Sequence, residues 1–356
     1  MTNKERVHKT LGQELTDRVP FFYWGVPEFT EKMMSHLGFT SRDQLLDFLD
    51  VDFRWVEPNY IGPSLSVSEK KKRDIWGVEY TLVGTGNKKS WKVSKSPLQG
   101  ITDSSVLADY NWPTVDLFDF SVLDEQIKKY SNYAIMTAPG YSSPGLFRII
   151  QRLVGYDDYL DVMVYHSKFF NALVDYVSEF YVNFIESFFE VAGDRVDFIR
   201  LSDNFGSKDG LIVTNETWQE IVKPVYERYL EIPQKLKVKV YMHSCGGVRK
   251  LLPEFISIGA DVLDPIQTRA AGMSPEGLKK DFGRLISFSG GIDEEELLRK
   301  GTPEMVKKGV HDLLEIMAPE GGFILGPSDK FVLETPIDNV LAMYEAAKEW
   351  KISKHK

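Results

Sequence analysis

The chain has 356 residues, 43% of them hydrophobic, which is enough to bury a substantial core. Its 43 Lys and Arg against 52 Asp and Glu give a net charge of −9, which argues against a nucleic-acid partner because such binding depends on neutralising phosphates. The single cysteine, Cys245, excludes an intramolecular disulfide and predicts a reduced, cytoplasmic protein. No apolar stretch is long enough to span a membrane, so no membrane partner is expected.

Short β-rich apolar runs alternate along the chain with helical patterns. The predicted strands are Val19–Trp24, Val51–Val56, Tyr133–Thr137, Val196–Leu201, Val238–His243, Asp261–Asp264, Leu285–Ser289 and Gly322–Leu325. The predicted helices are Glu28–Leu37, Ser41–Leu49, Tyr159–Val191, Asn215–Lys235, Val248–Ile258, Ser274–Phe282, Pro303–Met317 and Pro336–Glu349. This alternation predicts an α/β protein with a parallel sheet, and eight strands predict a (β/α)₈ TIM barrel. A doubly wound open sheet is the alternative, but the glycine-rich loop that usually follows its first strand is missing.

Residues 57–130 do not follow the alternation. They contain Gly, Ser, Pro and short alternating runs such as Val78–Val83. We interpret them as a β-rich loop insertion in one barrel domain that spans residues 1–350, followed by a frayed tail at 351–356.

Polar side chains follow five successive predicted strands. In a (β/α)₈ barrel the active site lies at the carboxyl ends of the strands, so these residues are expected to share one rim. In chain order they are Asp203 and Asn204, His243 and Cys245, Asp264 and Gln267, Asp293 after Gly290 and Gly291, and Asp329.

His243 and Cys245 are two residues apart at a strand end, so both side chains are able to face one pocket. Imidazole and thiolate are ligands that suit Zn²⁺, and Asp329 could supply an oxygen ligand from a later strand end. Asp203, Asp264 or Gln267 would complete or orient this site and are the candidate catalytic residues. The alternative, that Cys245 is a small buried hydrophobe and His243 a core histidine, stays open.

The candidate substrate-binding residues lie on the same rim. Tyr23 and Trp24 follow the first strand and could line an apolar pocket, with core packing as the alternative. Asn204 lies beside the candidate catalytic residues. Gly290 and Gly291 could bind an anion through backbone N–H groups, or form a tight turn.

With these residues placed, the chain resembles the uroporphyrinogen decarboxylase superfamily over almost its whole length. The resemblance rests on a series of short motifs in a fixed order. They are Asp17-Arg18-Val19-Pro20, Asp74-Ile75-Trp76-Gly77-Val78, Ser96-Pro97-Leu98, Trp112-Pro113, Ser202-Asp203-Asn204-Phe205-Gly206, His243-Ser244-Cys245-Gly246, Gly290-Gly291-Ile292-Asp293 and Thr335-Pro336-Ile337-Asp338-Asn339-Val340.

The resemblance implies one of two chemistries. The decarboxylase branch acts on uroporphyrinogen without metal, but its R-Q-A-G-R and F-S-D-I segments are replaced here by Phe21–Gly25 and Val51–Val56. The other branch moves methyl groups between a small substrate and a corrinoid protein. Its zinc enzymes hold the metal with H-x-C and a later cysteine. His243 and Cys245 match the H-x-C, whereas Asp329 replaces the later cysteine.

The resemblance therefore favours a methyltransferase with zinc and a corrinoid partner, acting on a small methyl donor or acceptor. Two alternatives remain: a metal-free decarboxylase and a non-catalytic binder of a corrinoid or tetrapyrrole. The oligomeric state stays open, with a homodimer as one candidate.

Overall fold

The computed structural model describes residues 1–84, 90–138 and 145–350. The predicted tail at 351–356 lies outside the described residues, as does the part of the insertion at 85–89. None of the helices in the described part combines the length and apolar character that crossing a membrane requires.

The described chain alternates helices and strands. The helices are α1 (Asn3–Leu11), α2 (Pro27–Leu37), α3 (Arg42–Phe48), α4 (Leu123–Lys129), α5 (Leu146–Val154), α6 (Tyr159–Tyr165), α7 (Ser167–Ala192), α8 (Asn215–Thr217), α9 (Lys223–Lys235), α10 (Leu252–Ser257), α11 (Pro275–Phe282), α12 (Pro303–Met317) and α13 (Ile337–Glu349). The strands are β1 (Phe53–Trp55), β2 (Asn59–Tyr60), β3 (Ser66–Ser68), β4 (Lys71–Arg73), β5 (Glu79–Val83), β6 (Ser90–Lys95), β7 (Phe118–Asp119), β8 (Ala134–Thr137), β9 (Phe198–Ser202), β10 (Gly206–Ser207), β11 (Gly210–Leu211), β12 (Lys239–His243), β13 (Ala260–Ile266), β14 (Ser287–Ile292) and β15 (Phe323–Pro327). Three 3₁₀ turns and two π-helical turns, Trp218–Val222 and Glu294–Arg299, complete the regular structure of this part.

Seven strands form one parallel sheet in the order β1-β8-β9-β12-β13-β14-β15. This confirms the predicted α/β class and its parallel sheet. The eighth predicted strand, Val19–Trp24, is not a strand, although Phe21 forms an isolated bridge to Leu325. The backbone N–H of Phe22 donates to Leu325 O at 2.8 Å, and that of Asp52 donates to Phe21 O at 3.0 Å. This segment is therefore bonded both to β15 and to the residue before β1, and full closure of an eight-stranded barrel remains a prediction.

The insertion after β1 is β-rich, as the sequence predicts. Strands β3 to β6 form a four-stranded antiparallel sheet, and β2 pairs with β7. Trp76 anchors the insertion, because its ring packs against Phe180 and Tyr181 of α7 at centroid distances of 5.0 and 5.9 Å.

Three predicted helices are interrupted in the structure. The stretch Tyr159–Val191 divides into α6 and α7 at His166. The stretch Asn215–Lys235 contains a π-helical turn between α8 and α9, and Val248–Ile258 begins as a 3₁₀ turn before α10. Hydrophobic periodicity predicts the helical face but is insensitive to such local changes of pitch.

A small apolar cluster lies on the inner face of the curled sheet. Its aromatic members are Phe22, Phe53, Phe198 and Tyr241, whose ring centroids lie 5.5–6.1 Å apart in the contacting pairs. Successive side chains of a strand point to opposite faces, so the residue two positions further along each strand returns to this inner face. The aromatic layer is thus the floor on which the site is built.

Candidate active site

Three polar side chains lie directly above the aromatic layer. Arg200, His243 and Asp264 each stand two residues beyond an inner-face residue of β9, β12 and β13, and all three are buried. The register pairs His243 with Asp264. We call these three residues the polar layer.

The polar layer is held together by short contacts. Arg200 Nη2 lies 2.6 Å from His243 Nδ1 and donates to Asp264 Oδ2 at 2.9 Å. Asp264 Oδ2 also lies 3.1 Å from His243 Nδ1. Asp264, predicted to follow its strand, lies within β13 and orients the imidazole.

Burial keeps the imidazole of His243 neutral. It lowers the pKa of His243 to about 4, and the positive charge of Arg200 acts in the same direction. The hydrogen bond and the negative charge of Asp264 raise the pKa, but by less. A neutral imidazole has one donor and one acceptor nitrogen. When Nδ1–H donates to Asp264, the lone pair of Nε2 is free to bind a metal or a proton. When Nδ1 instead accepts from Arg200, Nε2 carries the hydrogen.

Cys245 lies on the free side of the imidazole. Its Sγ is half-buried and stands 3.8 Å from His243 Nε2. Burial raises the pKa of the Cys245 thiol to about 12, with the charge of Asp329 as the next largest cause. The thiol is therefore neutral at pH 7 unless a base takes its proton or a bound metal cation displaces it.

The glycine after Cys245 is required by the backbone. Gly246 has a φ of 85°, and a Cβ there would lie 2.3 Å from the carbonyl carbon of Gly206. Only glycine allows the loop that carries Cys245 to approach the β10 hairpin so closely.

The His243–Cys245 pair has the spacing of two zinc ligands. Zn–N and Zn–S bonds at a tetrahedral angle place the two donor atoms about 3.6 Å apart, close to the 3.8 Å found here. In the described part of the chain, no three His, Cys, Asp or Glu side chains lie together in a way that could hold a metal ion. Asp329 is half-buried, and its Oδ1 accepts from the N–H of Lys330 at 2.7 Å. The structure thus places two of the three predicted ligands together, and the three-ligand site remains a prediction.

Asp203 is buried at the start of α5. Its carboxylate accepts from the Tyr226 hydroxyl at 3.0 Å and from the N–H groups of Phe147 and Arg148 at 3.4 and 3.3 Å. Burial raises its pKa to about 6 despite these bonds. Gly145 permits the contact, because a Cβ there would lie 2.1 Å from Asp203 Cγ. The geometry is that of a helix cap, and a catalytic role for Asp203 stays a prediction.

Gln267 and Asn204 both bond the loop of Cys245. Gln267 Oε1 accepts from Gly246 N at 2.7 Å, while its Nε2 donates to Ser328 O at 3.0 Å. Asn204 Oδ1 accepts from Cys245 N at 3.4 Å. Gln267 therefore links the loop of Cys245 to the residue that precedes Asp329.

Of the two aromatic candidates, only Trp24 is in contact with the polar layer. Its ring lies edge-on to His243 at a centroid distance of 5.0 Å, and the Arg200 guanidinium lies 5.1 Å from its centroid. Tyr23 is buried, packs on Phe331 and is bonded to the Thr30 hydroxyl at 3.0 Å. These are core contacts, which the sequence left open as the alternative for both residues.

Gly290 and Gly291 lie inside a strand and not after one. β14 extends to Ile292, and the glycines pair with Leu325 and Gly326 of β15. Both are buried with positive φ, and a Cβ on Gly290 would lie 2.9 Å from Pro265. The structure thus places close sheet packing where we predicted an anion loop or a tight turn.

Two arginines near the site were missed by the sequence analysis. Arg200 carried a detectable signal, because it is a lone cation in an otherwise apolar strand core. Arg148 carried none, since it lies on α5, which was not predicted. It is exposed, and its positive charge acts on His243, Cys245 and Asp203.

The fold, together with the motifs that lie within residues 145–350, agrees with comparisons to known proteins. The model of the uroporphyrinogen decarboxylase (URO-D) family matches residues 145–350, which include β9 to β15 and the polar layer. This match spans more than half of the chain, and the chain belongs to the URO-D family.

Solved structures add a match over nearly the whole length. A methyltransferase from Methanosarcina mazei is 19% identical, with a TM-score of 0.68 over 98% of this chain and 99% of that one. A B12-independent methionine synthase from Shewanella covers 93% of this chain and 94% of its own at 14% identity, but its TM-score of 0.42 carries no weight. A comparison with curated proteins finds no significant match. At such identities the first likeness supports the fold alone.

Proposed function

We propose that this protein is a methyltransferase-like member of the URO-D family, which moves a methyl group between a small substrate and the corrinoid of a partner protein. An ether, an amine or a thiol is the substrate class expected from the sequence. The observation that carries the proposal is the pair formed by His243 Nε2 and Cys245 Sγ, 3.8 Å apart above the polar layer. The methyltransferase from Methanosarcina mazei shares the fold, and the proposed reaction class is taken from it and from the sequence motifs.

The proposal includes a zinc ion held by His243 and Cys245, with Asp329 as the third ligand after a local shift. A bound zinc ion supplies Lewis acidity, which lowers the pKa of a thiol or stabilises a leaving oxygen. The chain's own residues prepare the site. Asp264 fixes the imidazole, burial keeps it neutral, and Cys245 must release its proton to bind, so metal affinity is expected to rise with pH.

The metal-free decarboxylase remains the alternative. It requires a carboxylate that faces a cationic pyrrole intermediate. Asp203, the candidate for that role, is buried and bonded to Tyr226 and to the N-terminus of α5. We therefore favour a positioning role for Asp203. The non-catalytic binder differs from both in lacking turnover.

Methyl transfer tests the proposal directly. Methylcobalamin would serve as the corrinoid probe, with simple thiols, amines and alcohols as acceptors, and its loss would be followed by absorbance under anaerobic conditions. The wild type should consume it, whereas His243→Ala and Cys245→Ala should not. His311→Ala, on the exposed face of α12, is the matched control. Conversion of uroporphyrinogen to coproporphyrinogen without methyl transfer would establish the metal-free decarboxylase. Binding of cobalamin without turnover would establish the non-catalytic binder.

A further inference from the structure

The buried guanidinium of Arg200 carries a donor without an acceptor. Arg200 is 5% exposed, and its contacts to His243 and Asp264 are both made through Nη2. Its Nε is buried and has no hydrogen-bond partner among the described residues. A buried charged donor in this state requires an acceptor, because it has lost its contact with water and gained no partner in exchange.

A second buried arginine shows that the state of Arg200 is not a general property of such side chains. Arg54 Nε is also unpartnered within the described residues, but Asp43 Oδ1 stands 3.9 Å from it. The other two nitrogens of Arg54 are both bonded, Nη1 to two backbone carbonyls and Nη2 to Asp47. In the same part of the chain, Arg200 is bonded through Nη2 alone. Arg54 is therefore held on several sides, whereas Arg200 has a free side within the candidate active site.

Trp24 does not provide the missing acceptor. Its ring centroid lies 5.1 Å from the Arg200 guanidinium, so the contact is made with the face of the indole. Such a contact stabilises the positive charge but leaves the in-plane N–H donors unbonded. The acceptor for Nε must therefore come from a molecule that enters the site beside His243 and Cys245.

The charges around Cys245 favour an acceptor that is itself negative. Beyond the effect of burial, the charges of Asp329 and Asp264 raise the pKa of the Cys245 thiol, and those of Arg200 and Arg148 lower it. Asp264 is already bonded to Arg200, and Asp329 is half-buried and accepts from its neighbour's N–H. Arg148 is exposed and forms no ion pair within the described residues. Of these charges, only Arg200 combines burial with an unmet hydrogen bond.

We propose that Arg200 binds a carboxylate of the substrate through its free N–H donors, and that Arg148 adds a second positive charge from α5. A carboxylate is the acceptor that matches the planar fork of a guanidinium best. The identification of this molecule as the methyl donor or acceptor rests on the proposed methyltransferase function. Binding itself needs no catalysis and no metal. The expected substrate class narrows to an ether, amine or thiol that also carries a carboxylate.

Three probes of nearly the same shape separate charge from size. Benzoate, benzamide and benzamidinium each carry a planar group on one benzene ring and differ in charge. Their binding to the full-length protein would be measured by calorimetry at pH 7. Benzoate should bind roughly tenfold more tightly than benzamide, as a charge-assisted hydrogen bond implies, and benzamidinium should bind most weakly.

Two variants locate the site. Arg200→Lys keeps the positive charge and removes the planar fork, so it should weaken benzoate roughly tenfold and benzamide much less. If Arg200 only positioned His243, both probes would weaken equally. Arg148→Gln removes an exposed charge and should weaken benzoate by about threefold. Arg228→Gln, which removes an exposed charge paired with Glu179 at 3.1 Å on α9, is the matched control and should leave benzoate binding unchanged.

The outcomes are decisive in either direction. Benzoate that binds no more tightly than benzamide, or does not bind, would overturn the proposal and leave water as the acceptor for Arg200 Nε. Benzoate binding that survives both Arg200→Lys and Arg148→Gln would also overturn it, because the carboxylate would then be held elsewhere, as by a bound metal ion. If denaturant titration shows that Arg200→Lys does not fold, the effect of Arg148→Gln decides alone.

Failure of this proposal is distinguishable from failure of the proposed function. Loss of benzoate selectivity would leave methyl transfer by the wild type untouched. Conversely, selective benzoate binding without methyl transfer would support the role of Arg200 and contradict the methyltransferase.

Discussion

Buried ionic networks lie at both ends of the parallel sheet, and they differ in how completely they are bonded. At the amino ends, the buried Asp52 carboxylate accepts from Arg6 Nη1 at 2.6 Å, Arg18 Nη1 at 2.7 Å and the N–H of Phe21 at 2.6 Å. The remaining donors of Arg6 are bonded to Asp17 and Asn3, apart from a weak contact to a backbone carbonyl. We call these residues the lower network.

The polar layer at the carboxyl ends is less complete. Arg200 Nε is buried without a partner in the described residues. Among the residues that the structure describes, His243 Nε2 has only the sulfur of Cys245 within reach, at 3.8 Å. Similar residue types therefore serve different purposes in the lower network and in the polar layer. A network in which every hydrogen bond is made stabilises the fold, whereas a network with unbonded polar atoms is available for a ligand.

Loss of Asp52 should give the largest effect. Asp52→Ala leaves Arg6 and Arg18 without their shared buried partner, and we expect the free energy of unfolding to fall by about 3–5 kcal/mol. Denaturant titration would measure it, with Asp124→Ala, which breaks an exposed ion pair, as the control at under about 1 kcal/mol. An equal loss in the two variants would break the distinction between the lower network and a surface ion pair.

Removal of Cys245 should reduce activity and leave stability almost unchanged, the opposite of what we expect for Asp52. Cys245→Ala should reduce methyl transfer by at least about a hundredfold, since loss even of outer-shell partners costs 10–100-fold in metal sites. The free energy of unfolding should change by less than about 1 kcal/mol, because the thiol is half-buried and weakly bonded. Kinetics and denaturant titration on the same preparation would test this. A destabilised but active Cys245→Ala would place Cys245 among the structural residues.

Asp203 should make stability depend on pH. Its pKa rises to about 6 in the folded protein from 3.8, so its stabilising contribution is present at low pH and is lost as pH rises through 6. Between pH 5 and pH 8 the wild type should lose about 1 kcal/mol more than Asp203→Asn. Titrations common to both chains cancel in this difference. Asp209→Asn, an exposed neighbour, should behave like the wild type, and an Asp203→Asn chain that does so too would contradict the assigned burial.

Gln267 should give the smallest effect. Its amide holds the loop of Cys245 against Ser328, so Gln267→Ala should expose the thiol and accelerate its alkylation by iodoacetamide roughly fivefold, the equivalent of one ordinary hydrogen bond. Cys245 is the only cysteine of the chain, so the rate reports on this loop alone. Gln234→Ala, which removes a similar bond to Ile258 O, is the control. Equal rates in the two variants would exclude a positioning role for Gln267.

The sequence predicted the sheet and the location of the site better than its bonds. Short apolar runs located most strands, and period-3.6 patterns located most helices, because burial governs both signals. The strand-end rule then brought His243, Cys245 and Asp264 to one rim. It placed Gly290 and Gly291 beyond their strand, because residues with side chains typical of strands stop at Ser289 while the backbone pairing continues to Ile292.

The hydrogen-bond partners of each carboxylate could not be predicted from the sequence. Asp203 and Asp264 both follow apolar strands, yet one caps α5 and the other orients His243. The difference depends on α5, which is far away in the chain and was not predicted.

The metal content of the purified protein tests the central claim most directly. Protein purified without chelator would be analysed by plasma mass spectrometry, together with His243→Ala, Cys245→Ala and the control His311→Ala. We predict about one zinc per chain in the wild type and the control, and its loss in both site variants. A wild type without zinc that still transfers methyl groups, or zinc that survives both substitutions, would contradict the assignment of the His243–Cys245 pair as the metal-binding centre.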